Sequence, residues 1–129
     1  MKFASLCCTL FLALAAAAPA AVSLVPQPVQ MSAGKGSLTL SASTPLVYPD
    51  GSAEAERIAR LLSAEISQSS GLDLAVFPSS QAGRGAPIRL LLDPALKDAG
   101  PEGYRLTISR RGILLAAPSP AGLYRGGQT

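Results

Sequence analysis

Eight carboxylates are the side chains of this 129-residue chain from which a paired acid/base couple could be drawn, because it contains no histidine and its two cysteines, Cys7 and Cys8, lie close to the N-terminus. The lack of histidine removes Ser-His and Cys-His nucleophile systems, the H-E-x-x-H zinc site and the commonest metal ligand. A hydrolytic couple would have to come from Asp50, Glu54, Glu56, Glu65, Asp73, Asp93, Asp98 and Glu102. General acid/base work needs two such groups facing one another, with at least one in an apolar setting that raises its pKa. The spacing does not provide this. Glu54, Glu56 and Glu65 fall on the polar face of an amphipathic stretch, Asp50, Asp93 and Asp98 belong to turns, and Glu102 precedes Gly103 at the start of a strand. No residue is assigned a catalytic, cofactor-binding or metal-binding role. Gly34, Gly36 and Gly51 do not form G-x-G-x-x-G, and Gly122, Gly126 and Gly127 lack the lysine of a P-loop, so these glycines are read as turn and packing positions.

The elements that would hold such groups can be read from the apolar periodicity. Ala55, Ile58, Ala59, Leu61, Leu62 and Ile66 recur at steps of three and four, which predicts a helix over 52–69 with Ser52 as N-cap and Gly71 as the stop. Strands are predicted at Ser37–Ser41, Leu46–Tyr48, Leu72–Phe77, Ile88–Leu92, Tyr104–Ser109 and Gly112–Ala117. The last two are joined by an Arg110-Arg111-Gly112 hairpin in which Gly112 takes positive φ. A second helix begins at Pro120. The order of elements gives an α+β fold, a small mostly antiparallel or mixed sheet with helices on one face.

Bulk properties narrow the class. Lys2, an apolar run from Phe3 to Ala17 and the Ala18-Pro19-Ala20 pattern read as a signal peptide over 1–20, cleaved after Ala20, so the chain is expected to be exported to the periplasm or outside the cell. The run is too short to span a bilayer, which needs about 20 apolar residues. Both cysteines fall inside this segment, so the mature chain has no disulfide and no thiol ligand. Without Lys2, ten basic residues face eight acidic ones. That balance, with no tryptophan and few aromatics, offers no stacking or electrostatic surface for nucleic acid. Residues 21–129 are the size of one small domain.

Three stretches carry a family resemblance: Leu24-Val25-Pro26-Gln27-Pro28-Val29 followed by Gly36-Ser37-Leu38-Thr39-Leu40, then Gly103-Tyr104-Arg105-Leu106-Thr107-Ile108, and then Gly112-Ile113-Leu114-Leu115-Ala116-Ala117 running into Pro120-Ala121-Gly122-Leu123-Tyr124-Arg125-Gly126-Gly127-Gln128-Thr129. Together they resemble the small N-terminal domain of glycoside hydrolase family 20, the β-N-acetylhexosaminidases. The resemblance implies a non-catalytic domain over 21–129 that braces a (β/α)8 barrel, the chain being cut before that barrel, with Leu123 and Tyr124 as exposed anchors on the connecting helix. It also implies that the chemistry belongs to an Asp-Glu pair in the barrel. There the acetamido oxygen of an N-acetylhexosamine glycan attacks the anomeric carbon, the Asp orients it and the Glu protonates the leaving oxygen. No Asp-Glu dipeptide occurs here, so these roles have no position to land on. The domain of another glycosidase family and a free-standing carbohydrate-binding module are the alternatives. The second is disfavoured because Tyr48, Tyr104 and Tyr124 are the only tyrosines available to stack on sugar.

Overall fold

A computed structural model describes residues 24, 25 and 27–129; the expected signal peptide and both cysteines lie outside these residues. Five strands form one sheet: β1 (Leu46–Tyr48), β2 (Val76–Pro78), β3 (Ile88–Leu92), β4 (Arg105–Ser109) and β5 (Gly112–Ala117). Their order is β2-β1-β3-β5-β4. The first four in that order run parallel, and only the β4–β5 hairpin is antiparallel, with Leu106 opposite Leu115 and Ser109 opposite Gly112. The fold is thus α+β with a mixed sheet, although most of its pairings are parallel. The parallel pairs follow from the connections. Helix α1 (Ala53–Ser70) returns the chain between β1 and β2, and helix α2 (Pro120–Gly127) follows β5.

Local chemistry sets the helix ends. Ser52 is extended and its hydroxyl accepts the Ala55 N–H at 3.2 Å, which satisfies one of the free donors of the first turn. Gly71 closes α1 at φ 73°, a left-handed conformation that costs glycine nothing, and its N–H reaches Ser67 O at 2.8 Å. At the start of α2, the Ser119 hydroxyl accepts from Gly122 N–H at 3.3 Å and donates to the carbonyl of Pro101.

Both helices pack on one face of the sheet, around a core of Leu46, Ala55, Ile58, Ala59, Leu62, Leu74, Ile88, Leu90, Leu115, Ala117 and Leu123. Removing Leu46, Ile58, Leu90 and Leu123 from water is worth about 1.5–3 kcal/mol each before chain entropy is counted. Alternation places Phe77, Val47, Arg89, Leu91, Leu114, Ala116, Arg105 and Thr107 on the opposite face. There Val47 and Ala116 are buried, while Phe77, Leu91 and Leu114 are partly open to solvent.

Two predicted strands differ from the structure. Ser37–Ser41 joins no ladder, because its end turns instead: Thr44 Oγ1 accepts from Ser41 N–H at 3.0 Å and Thr44 N–H donates to Ser41 O at 2.9 Å. This is the competition between a short polar side chain and sheet bonding. Of Leu72–Phe77, only the last two residues enter β2. The Leu74 carbonyl is taken by the Ser63 hydroxyl at 2.8 Å, which ties this segment to α1 and buries Leu74 in the core.

Close packing of α2 rests on three glycines. Gly122 and Gly126, one turn apart, face the sheet: a Cβ on Gly122 would fall on the Gly103 carbonyl oxygen and the Ala117 methyl, and one on Gly126 on Leu115 and Tyr104. Gly127 faces α1, where a Cβ would meet the end of the Leu62 side chain. Because a backbone oxygen gives way less than an aromatic edge, and an aromatic edge less than a leucine tip, alanine substitutions should destabilise in the order Gly122, then Gly126, then Gly127. The first is expected to cost about 1–3 kcal/mol by overpacking. At Gly127 the gain in helix propensity, about 1 kcal/mol, offsets much of the strain. Denaturant unfolding of the three single variants checks the order.

The turn after β1 is held to the end of β2 by one carboxylate. Asp50 accepts from the Ser79 hydroxyl at 2.7 Å and from the Ser80 hydroxyl and N–H at 2.7 and 3.1 Å. The Ser80 and Ser79 hydroxyls hold the Asp50 carboxyl below its ordinary pKa. A carboxylate with a depressed folded-state pKa contributes stability that is fully present above its unfolded-state pKa and is lost as pH falls through the folded-state value. Asp50→Ala should therefore lower the unfolding temperature at neutral pH, and the gap from wild type should close as the solution is acidified past the depressed pKa. Thermal melts of both proteins across that range test this.

Candidate functional site

Each of the eight carboxylates can be placed. Asp50 is engaged with Ser79 and Ser80. Glu56 pairs with Arg60 at 2.7 Å along α1, and Glu102 with Arg125 at 2.7 Å across to α2. Glu65 accepts from Gln128 Nε2 at 2.8 Å, Asp93 accepts from Ala95 N–H at 3.0 Å, and Asp73 accepts from the Ser67 hydroxyl. Glu54 and Asp98 are exposed, and none of the eight is buried. Surface pairs such as Glu56–Arg60 and Glu102–Arg125 contribute only about 0–1 kcal/mol; the first lies within α1, and the second ties α2 to the segment before β4.

No two of these groups are brought together as an acid and a base. The partners that the structure supplies to six of them are arginines, hydroxyls, a side-chain amide and backbone N–H groups. Among the described residues no three His, Cys, Asp or Glu side chains cluster where a metal could be held, and no buried side-chain polar atom lacks a partner.

The concave surfaces are shallow and open. One depression of about 340 Å3 lies along the outer side of α1, lined by Ala53, Glu56, Arg57, Arg60 and Leu61. Another of about 360 Å3 lies between α1 and the segment leading into β2, lined by Arg60, Ser63, Ala64, Ser67, Asp73, Leu74 and Val76. Neither encloses a ligand-sized volume with converging polar groups, which a small-molecule site requires. Near the first, the Tyr48 phenol is pushed above its ordinary pKa by desolvation and then by the Glu56 charge. The Arg125 guanidinium is likewise raised by its bond to Glu102. Both shifts keep these groups in their resting protonation states at neutral pH. Tyr48 is a neutral hydroxyl and Arg125 a fixed cation.

Leu123 and Tyr124 separate. Leu123 is fully buried in the core of this domain and cannot anchor an outside partner, whereas Tyr124 is 45% exposed. The reason is the helix period: Leu123 shares the inward side of α2 with Gly122 and Gly126, and Tyr124 is rotated outward. The tyrosine that sequence reasoning left without a contact, Tyr104, joins the end of α2 through a 2.7 Å bond between its hydroxyl and that of Thr129.

What this arrangement offers is a set of packing surfaces. No described helix is long and apolar enough to cross a membrane. A search among curated proteins finds no match to the chain. The family model described as glycosyl hydrolase family 20, domain 2, matches residues 21–129, the span over which the described strands and helices fold. By that match the chain belongs to glycoside hydrolase family 20 and carries its domain 2.

Proposed function

We propose that this chain is the N-terminal, non-catalytic domain of an exported β-N-acetylhexosaminidase, and that its work is mechanical: it packs against a catalytic (β/α)8 barrel and braces it. The observation that carries the reading is the family 20 match over residues 21–129, in a domain whose carboxylates are each exposed or engaged separately. In the parent enzyme, terminal non-reducing N-acetylhexosamine residues are hydrolysed with help from the substrate's acetamido group, on an Asp-Glu pair supplied by the barrel. This chain supplies neither of those groups. Residues 1–20 act as the export signal and 21–129 as the bracing domain, acting in the periplasm or outside the cell.

The physical case for bracing is the layer construction of the domain. A sheet with helices on one side buries its core there and leaves apolar side chains such as Tyr124 and Leu61 exposed on the helices' outer side. Such groups are stabilised when another apolar surface covers them.

Two measurements test this. The purified chain should release no nitrophenol from a p-nitrophenyl N-acetyl-β-glucosaminide, and turnover that co-purifies with the chain through successive columns would refute the non-catalytic reading. The coding sequence around this chain should continue in frame into a barrel with adjacent Asp and Glu. A frame without one would refute the parent-enzyme reading.

A further inference from the structure

The two faces of the sheet carry charge differently. On the helix side, acidic and basic residues are mixed: Glu54, Glu56 and Glu65 share α1 with Arg57 and Arg60, and Glu102 pairs with Arg125. On the opposite face the strands contribute Arg89 and Arg105 and no acidic residue. Arg89 stands beside Leu114 of β5, and Arg105 beside Ala116, whose other neighbour is Leu91. A third arginine joins them. Because β1 lies between β2 and β3, the connection 79–87 has to cross β1 on one face or the other, and α1 already occupies the helix side. A right-handed crossover carries the connection over the opposite face, which accounts for the complete burial of Val47 where no helix covers it. Arg84, between Gly83 and Gly85 in that connection, is exposed, and the exposed Arg110 and Arg111 extend the same charge to the hairpin end of the face. Among the described residues the ion pairs are Glu56–Arg60 and Glu102–Arg125, so none of these five arginines has a carboxylate partner. Carboxylates lie at the other rim, where β1 and β3 end: Asp50 is held by Ser79 and Ser80, and the partly buried Asp93 accepts from Ala95 N–H. Between the cations the apolar side chains Phe77, Leu91 and Leu114 are each more than a third exposed.

We propose that this helix-free face of the sheet docks on an anionic lipid bilayer, with Arg84, Arg89 and Arg105 on lipid phosphates and Phe77, Leu91 and Leu114 entering the headgroup region. Charge complementarity selects an anionic partner, since guanidinium groups left without carboxylates bind phosphate oxygens through paired N–H donors. The apolar side chains select a lipid among the anionic partners. A dissolved polyanion would neutralise the arginines and leave two leucines and a phenylalanine in water, whereas a phospholipid surface presents phosphate and hydrocarbon together. The acidic rim sets the orientation: the hairpin end with Arg110 and Arg111 faces the bilayer, and the rim of Asp50 and Asp93 tilts away from it. The helix side takes no part, so the inference stands independently of the bracing role.

The test is flotation of the full chain with vesicles of phosphatidylcholine alone and of equal parts phosphatidylcholine and phosphatidylglycerol. The readout is the ratio of the two affinities, because the apolar run 3–17 is present in every variant and adds to both. Wild type should prefer the anionic vesicles by about 10-fold or more, and the preference should shrink as salt is added. Arg89→Gln and Arg105→Gln should each lower the ratio about 5-fold, whereas Arg57→Gln, which removes the same charge from the helix side, should leave it within about 2-fold of wild type. Thermal melts verify that these surface variants fold, and the salt dependence of wild type stands without them. The chain has no tryptophan, so Phe77→Trp and Tyr124→Trp report on the two sides separately. On anionic vesicles the emission of the first should shift to the blue and that of the second should not. Absence of an anionic preference, an equal loss in Arg57→Gln, or a blue shift confined to Tyr124→Trp would overturn the proposal. Arginine-dependent binding to polygalacturonate, with no shift of Phe77→Trp on vesicles, would also overturn it by giving the face to an acidic polysaccharide.

Discussion

The approach of α2 to the sheet is the constraint on which the rest of the domain depends. A helix that carries glycine at 122 and 126 can set its backbone against the Gly103 carbonyl, the Ala117 methyl, Leu115 and the Tyr104 ring, and any side chain there would hold it off. Glycine inside a helix costs about 1 kcal/mol relative to alanine. That cost is outweighed by what contact allows: Leu123, between the two glycines, is completely removed from water, and the small gap leaves Ala117 and Leu115 in the core with it. The glycines are a packing device, and their resemblance to a phosphate-binding loop is superficial.

Several other contacts follow from that one. Once α2 lies flat, Ser119 reaches the Pro101 carbonyl, Arg125 reaches Glu102, Thr129 reaches Tyr104 and Gln128 reaches Glu65. These bonds link α2 to the segment before β4 and to α1. None is strong alone: three are exposed and the Tyr104–Thr129 bond is only partly buried. Together they fix the rotation of α2 about its axis, and that rotation decides that Leu123 points into the core and Tyr124 out of it. The chain of cause runs from two small residues to the character of a surface.

Most of the sheet and both helices were legible in the sequence. The periodicity of 55, 58, 59, 61, 62 and 66 located α1 to within a residue at each end, although Leu61 lies off the buried stripe and is exposed, and the aliphatic runs of β3 and β5 were found with their bounds. The parallel pairing was less legible, since strand order depends on which connection crosses over which, and short loops such as 79–87 carry no signal for it. The alternation of Ser37 to Ser41 was misleading for a physical reason: its backbone groups are used by Thr44, a contact that no period reveals. Leu123 was misread as an outside anchor because the burial of α2 comes from tertiary contact and not from its own short pattern. Of the carboxylates, sequence position already indicated turns and a polar helix face, and their actual partners, Ser80, Arg60, Arg125 and Gln128, were visible only in three dimensions.

The proposed division of labour is between this domain, in which six of the eight carboxylates are engaged by its own architecture, and a barrel that holds the reacting carboxylates. The most direct test compares the isolated barrel with the same barrel joined to this chain, by thermal unfolding and by turnover per folded molecule. The account predicts a higher unfolding temperature when the chain is present and the same kcat. Unchanged barrel stability, or a fully folded barrel that hydrolyses substrate only when this chain is added, would contradict it.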